Sequence, residues 1–391
     1  DSLQEALGPQ FERFVSDRVT VLEGDISKPN LGLEKSTLRD LQSKLDVILN
    51  SGGLTDFNPD LRNALAANVE STQTMLEFVR SCDHAALLHL STAFVVGRRD
   101  GRIEEVLHPN YVPRKGKDYD ADKEEVALQD RVRRAREWPP DPELVRELAM
   151  PLEPVPQSSH STPGSGSNAS EPLTRAEARE STSKTGGRFG WMRRVLTEIG
   201  THRAQELGWP NSYVFTKSMG ESYLERHGKD VPIAIVRPSI VESSCALPFP
   251  GWNEGINTSA PLSYLLGTTF RQLPANERKC LDVIPVDLVC RGMTLIAAAL
   301  VERCHQPLYQ LATSVSNPCD MERSIELTSL AHRKFYGGLG GKRSFWKMRM
   351  DAIPVSKTRY RNLSAPRHMA IIARIRKWIS PMPFKVRALQ R

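Results

Sequence analysis

The feature that most constrains this chain is a repeated pairing: a short apolar, β-branched run, followed at once by small or polar residues. Leu45-Asp-Val-Ile-Leu49 leads into Asn50-Ser51-Gly52-Gly53, Ala85-Ala-Leu-Leu-His-Leu90 into Ser91-Thr92, and Val231-Pro-Ile-Ala-Ile-Val-Arg237 into Pro238-Ser239. An earlier run, Val19-Thr-Val-Leu-Glu-Gly-Asp25, ends on Gly-Asp in the same manner. Each run reads as a strand. Between the runs at 45–49 and 85–90 lies Leu61 to Arg80, with Leu61, Leu65, Val69, Leu76 and Val79 at helical spacing. Strands alternating with helices predict a parallel sheet in a doubly wound α/β domain, because parallel neighbours need a crossover between them. Ligands in such sheets bind beyond the carboxyl ends of the strands. The residues after each run are therefore where chemistry is expected.

Two stretches break the pattern. Residues 100–205 are charged and strand-poor and include a Ser/Gly-rich piece, 157–170, that reads as a flexible linker within an insertion. From 331 onward there are 16 Lys and Arg against Asp351 alone. The whole chain carries only +7, so the basicity belongs to this tail and the rest is net acidic. The expected division is a cofactor-binding part over 1–240, a substrate-binding region over 241–330, and a basic C-terminal region over 331–391.

Several chemistries are disfavoured. No run of about 18 apolar residues occurs, so no transmembrane helix is expected. The six cysteines form no C-x-x-C and the nine histidines no H-E-x-x-H, so no metal site is predicted and a reducing, cytoplasmic setting is the default. Buried structural thiols are the expected case. Gly164–Gly166 and Gly337-Gly-Leu-Gly-Gly-Lys342 lack a preceding strand and phosphate-loop spacing, and read as loops. Nothing accompanies the basic tail that would mark a nucleic-acid module.

A reductase needs an acid for the oxygen that gains charge. A tyrosine can serve when a lysine one helical turn later lowers its pKa. Tyr-x-x-x-Lys occurs three times. Tyr111/Lys115 spans Pro113, which spoils a helix interior. Tyr119/Lys123 lies in a charged segment without an apolar face. Tyr213/Lys217 follows Trp209-Pro210-Asn211-Ser212, a plausible helix start, and leads directly into the strand at 231–237. It is the chosen pair.

At these residues the chain resembles the extended short-chain dehydrogenases/reductases: Leu90-Ser-Thr-Ala-Phe-Val-Val-Gly97, Tyr213-x-x-x-Lys217 and Ile235-Val-Arg-Pro-Ser-Ile-Val241. Gly24-Asp25-Ile-Ser-Lys-Pro-Asn-Leu-Gly-Leu33, Phe249-Pro-Gly-Trp-Asn-Glu-Gly255 and Leu281-Asp-Val-Ile-Pro-Val-Asp-Leu-Val289 narrow the likeness to fatty acyl-CoA reductases. It covers about 15–100 and 205–370. The resemblance implies a Rossmann-type fold and NADPH as cofactor. It implies Thr92 at the substrate carbonyl, Tyr213 as proton donor and Lys217 at the nicotinamide ribose. Asp25 and Ile26 would flank the adenine, Asn50, Ser51 and Gly52 would pass close to the cofactor, and Pro238 and Ile240 would line the nicotinamide pocket. Asn68 completes the catalytic group or is a structural asparagine; both readings stay open. The family's first strand, Gly-rich turn and helix have no counterpart here. The expectation is therefore an N-terminally truncated chain, inactive as it stands.

The function so implied is NADPH-dependent reduction of a long-chain fatty acyl-CoA to aldehyde or alcohol. Alternatives are a thioester reductase acting on a carrier-protein-bound chain, a nucleotide-sugar epimerase of the same fold, and a non-catalytic membrane- or lipid-binding fragment. Arg367 to Arg387 mixes isoleucines with arginines, the pattern of a helix that lies on an anionic bilayer. Peripheral membrane contact through this tail is the corresponding partner expectation.

Overall fold

A computed structural model of the chain describes residues 2–137, 187–254, 263–264, 266, 271–275, 280–339 and 351–379. Four strands form one parallel sheet: β1 (Val47–Asn50), β2 (Ala86–Leu90), β3 (Ile233–Pro238) and β7 (Leu308–Leu311), side by side in that order. Asn50 stands opposite His89, His89 opposite Ile235, and Ile235 opposite Leu308. Three of the four expected strands are thus found, and a doubly wound α/β architecture with them.

The fourth expectation fails. Residues 19–25 are not a strand, and Val19, Val21 and Leu22 are exposed, Val21 at 88%. β-branched residues favour extended backbone, but a strand also needs a neighbour for its N–H and C=O groups. No described strand pairs with this segment. Its Gly-Asp end turns instead, with the Asp25 carboxylate accepting the N–H of Ser27 at 3.0 Å.

Successive strand residues point to opposite faces, so the apolar run of β2 feeds two cores. Ala86 and Leu88 join Ala234 and Val236 against Ile296 and Leu300 of a covering helix, residues 286–301. Leu87 and Ile235 meet Met75, Leu76, Val79 and Leu224 on the other face. Helices α1 (Lys35–Lys44), α2 (Leu61–Leu65) and α3 (Ser71–Arg80) lie on this second side, with α2 and α3 joined by a π-helical turn, Ala66–Glu70. Asp60 starts α2 by accepting the N–H of Asn63 at 3.1 Å. Each fully buried leucine here, such as Leu76 or Leu87, contributes roughly 2 kcal/mol of burial.

The interrupting segment is partly core. Helices α4 (Ala121–Arg136) and α5 (Gly187–Leu207) pack with α2 and with α6 (Ser212–His227), burying Leu128, Leu196, Trp209 and Phe215. Arg203 of α5 grips Glu124 of α4 at 2.7 and 2.6 Å. The Trp209 indole donates to the Val95 carbonyl at 2.7 Å. The proposed linker, 157–170, lies outside the described residues.

Beyond β3, β4 (Ile240–Glu242) pairs with β6 (Val283–Pro285), and β5 (Gln272–Pro274) with β8 (Ile353–Val355). After α7 (Val286–Val301), helix α8 (Met321–Leu339) runs straight through the compositional change at 331. The last described helix is α9 (Ala365–Ile379). No described helix is long and apolar enough to cross a membrane.

Candidate active site

Helix α6 places the site because of how it starts. Asn211, extended in backbone, turns its side-chain oxygen onto the N–H of Val214 at 3.1 Å. Tyr213 then falls in the first turn, Lys217 one turn on and Glu221 one more, a single stripe at four-residue spacing. The stripe starts at the carboxyl end of β2, where Thr92 caps a 3-10 turn, Ala93–Val96, and accepts the N–H of Phe94 at 3.4 Å.

The Tyr213 phenol is half-buried, with Thr92 close enough to favour its ionised form and the ring of Phe57 edge-on at 6.2 Å. Burial pushes the phenol above its ordinary value, and the Thr92 hydroxyl only partly offsets this. Lys217 is not among the causes of the shift. The expected lowering of the tyrosine by its lysine is therefore not what this geometry does. Lys217 is itself 5% exposed and donates to the Leu90 carbonyl at 3.1 Å. Burial holds its ammonium down to about 8, with Glu221 pulling the other way.

The π-helical turn brings in Asn68, and such turns recur at functional sites. Its amide nitrogen donates to Thr216 at 3.0 Å and its oxygen accepts the N–H of Leu54 at 3.3 Å. Thr216 passes the chain on to the Ser212 carbonyl at 2.9 Å. Asn68 is thus tied to α6 and to the loop after β1 at once. In that loop a Cβ on Gly53 would stand 2.8 Å from the Lys217 Nζ, and one on Gly52 2.6 Å from Ile26 Cδ1. The two glycines let the loop descend onto the lysine and the isoleucine.

The remaining expected residues are placed as follows. Asn50 is buried at the end of β1, and Ser51 is exposed. Ile26 packs under Gly52 and joins the apolar cluster on that face, while the Asp25 carboxylate is occupied by Ser27 and Lys28. Pro238 is buried where β3 ends, and Ile240 is half-buried where β4 begins. Tyr111 donates to the Val96 carbonyl. Tyr119 is buried in the core beside Trp209, and burial pushes its phenol far up. Neither rejected tyrosine joins Thr92. Cys245, Cys280, Cys290 and Cys304 are exposed and Cys82 and Cys319 partly buried, so the expectation of buried thiols does not hold.

Two features escaped the sequence reading. His89 is fully buried on β2, its Nδ1 facing the Asn50 amide nitrogen at 3.2 Å. Burial and the nearby Lys217 charge hold it down to about 3, so it is neutral, with its proton on Nε2. The other is a buried ion pair: Arg237 donates to Glu221 at 3.0 Å through Nε and 2.5 Å through Nη2. An arginine ending a buried strand, and a histidine inside one, are the signals that could have found them.

The donors left over suit the ribose end of a nicotinamide nucleotide. Lys217 has spent one of three N–H groups on Leu90, under a loop whose glycine presents bare backbone.

Comparison with known proteins adds the following. Residues 2–293 match the NAD-binding family model described as Male sterility protein. The alcohol-forming fatty acyl-CoA reductase of Simmondsia chinensis is 29% identical over 340 residues, 85% of this chain and 59% of that protein. The chloroplastic fatty acyl-CoA reductase 2 of Arabidopsis thaliana is 28% identical, over 84% of this chain and 47% of that protein. The chain thus spans about half the length of the curated relatives it matches. Among solved structures, the terminal R domain of the myxalamid PKS-NRPS pathway aligns at a TM-score of 0.47 and 14% identity, covering 90% of this chain and 71% of that one.

Proposed function

The chain belongs to the Male sterility protein family of NAD-binding domains, and from that premise we propose that it reduces a long-chain fatty acyl thioester, fatty acyl-CoA, with NADPH as the nicotinamide cofactor. The observation that carries this reading is the Thr92–Tyr213 hydroxyl pair at the carboxyl end of β2, with Lys217 anchored one turn below on Leu90. The reduced nicotinamide, when bound, supplies hydride to the thioester carbon.

The protein's part is to receive the carbonyl oxygen. Thr92 and Tyr213 donate to that oxygen as it gains charge, and Tyr213 gives up its proton to yield a thiohemiacetal. Collapse breaks the C–S bond and releases the thiol and a fatty aldehyde. A second reduction of the same kind gives the alcohol. Burial favours the neutral phenol, so Tyr213 carries the proton it must deliver. Lys217 keeps its ammonium one helical turn on from Tyr213 below about pH 8, able to hold ribose hydroxyls. Asn68 fixes α6 against the loop and so positions Lys217. Pro238 and Ile240 would line the nicotinamide pocket, Asn50, Ser51 and Gly52 would pass close to the cofactor, and Asp25 and Ile26 would flank the adenine.

NADPH over NADH rests on the resemblance of the sequence motifs, and comparing kcat/KM for the two checks it. Peripheral contact with an anionic membrane belongs to the same reading. Met369, Ile371, Ile372 and Ile375 of α9 are exposed beside Arg367 and Arg374. The deciding experiment supplies the purified full-length protein with fatty acyl-CoA and NADPH and follows aldehyde and alcohol by mass spectrometry. Product from wild type but not from Tyr213→Phe supports the reading; equal product from both would sink it.

A further inference from the structure

Residues Ser218, Glu221 and Ser222 of α6 border a cavity of about 540 Å³, closed on the far side by the loop after the Ala93–Val96 turn. The Arg237–Glu221 pair forms part of its lining. The Arg237 Nε and Nη2 are committed to the glutamate, and Nη1 has no partner among the described residues. Nor, among the described residues, do the hydroxyls of Ser218 and Ser222. Arg99 and Arg102 stand at the mouth, both exposed and without an ion pair among the described residues. Glu104 is the opposing carboxylate there, and Glu221 is neutralised by Arg237, so the lining is net positive.

An acyl chain is a poor occupant for such a space, since it would leave every one of these donors without an acceptor. A phosphate suits it, because arginine forks pair with phosphate oxygens and hydroxyls complete the shell. The position along α6 narrows the ligand further. Ser218 and Ser222 lie five and nine residues beyond Tyr213, roughly 7.5 and 13.5 Å along the helix axis at 1.5 Å per residue. A thioester substrate whose reacting carbonyl sits at Tyr213 and whose phosphate sits here must carry an uncharged spacer between them.

We propose that this cavity holds the phosphate-bearing end of a phosphopantetheine thioester. The inference rests on the thioester-reductase reading given above. Free CoA and the prosthetic arm of a carrier protein share this chemistry, and the test separates them.

The test is calorimetric titration of the protein with CoA, with pantetheine and with a phosphopantetheinylated carrier, for wild type and Arg99→Ala/Arg102→Ala. Both positions are exposed, so the double variant should fold as wild type does. The expected result is at least a tenfold weaker Kd for CoA with pantetheine unchanged, and a matching rise in KM for acyl-CoA at constant kcat. Loss confined to the carrier would keep the site and assign the carrier as its source. Unchanged affinity for both phosphorylated ligands, or no binding of either to wild type, would overturn the proposal. Arginine-dependent CoA binding in a protein that reduces no thioester would leave the anion site standing and remove the reductase reading instead.

Discussion

Helices α6 and α9 are nearly equal in length, 16 and 15 residues, and have opposite fates. The first holds Ser212, Thr216, Lys217, Ser218, Glu221 and Ser222 and buries them all. The second carries Met369, Ile371, Ile372 and Ile375 and exposes them all. Composition alone would suggest the reverse. The polar residues of α6 are tolerated because key ones find partners: Thr216 with Asn68, Lys217 with Leu90, Glu221 with Arg237. Burial raises the value of each such contact, since the alternative is an unpaired group in a low-dielectric interior. An exposed apolar helix face gains nothing from its own protein and is free to contact another surface. Burial follows from what surrounds a helix more than from what the helix contains.

The comparison can be broken most directly at Tyr213. Tyr213→Phe should lower the reduction rate about 10³-fold, within the range for a lost general acid, with circular dichroism unchanged. A variant with wild-type turnover would show that the polar stripe of α6 is only structural. Next in size is the ion pair. Glu221→Ala leaves the Arg237 charge buried and unpaired, and urea unfolding should show a loss of about 3–5 kcal/mol. An unchanged midpoint would mean that α6 is held by its apolar residues alone.

Lys217 sharpens the contrast through pH. Reduction should fall above about pH 8 as the ammonium is lost. Stability moves the other way. The folded value is depressed, so between about 8 and the ordinary lysine value of 10.5 the unfolded chain binds more protons, and stability rises with pH across that window. The gain amounts to about 3 kcal/mol, and Lys217→Met should abolish the slope in a pH series of unfolding curves. A slope that persists in the variant would assign it to another group. The smallest effect is expected in α9. Ile372→Ser/Ile375→Ser should change stability by less than about 0.5 kcal/mol, yet reduce co-sedimentation with anionic vesicles. A large loss of stability would show that these isoleucines are covered within the protein.

Much of this was legible in the chain. Leu45–Leu49, Ala85–Leu90 and Val231–Arg237 were read as strands within two residues, because alternating burial on both sheet faces demands an unbroken apolar run. The choice of Tyr213/Lys217 over the pairs at 111 and 119 rested on a helix start at Asn211, and that cap is present. Asn50, Thr92 and Pro238 could be marked because each stands at or just beyond the end of a strand.

By itself, then, the sequence determined the local facts: strand and helix identity, the capped start of α6, and the four-residue step between tyrosine and lysine. Tertiary structure alone decided the rest. Val19–Asp25 has the residues of a strand, but pairing depends on a neighbour that periodicity cannot supply. Asn68 meets Thr216 across 148 residues and Asn50 meets His89 across 39. Whether the lysine would lower the tyrosine's pKa was equally out of reach. Desolvation sums over every atom packed around a group, wherever in the chain it comes from, and at Tyr213 it outweighs the lowering from Thr92.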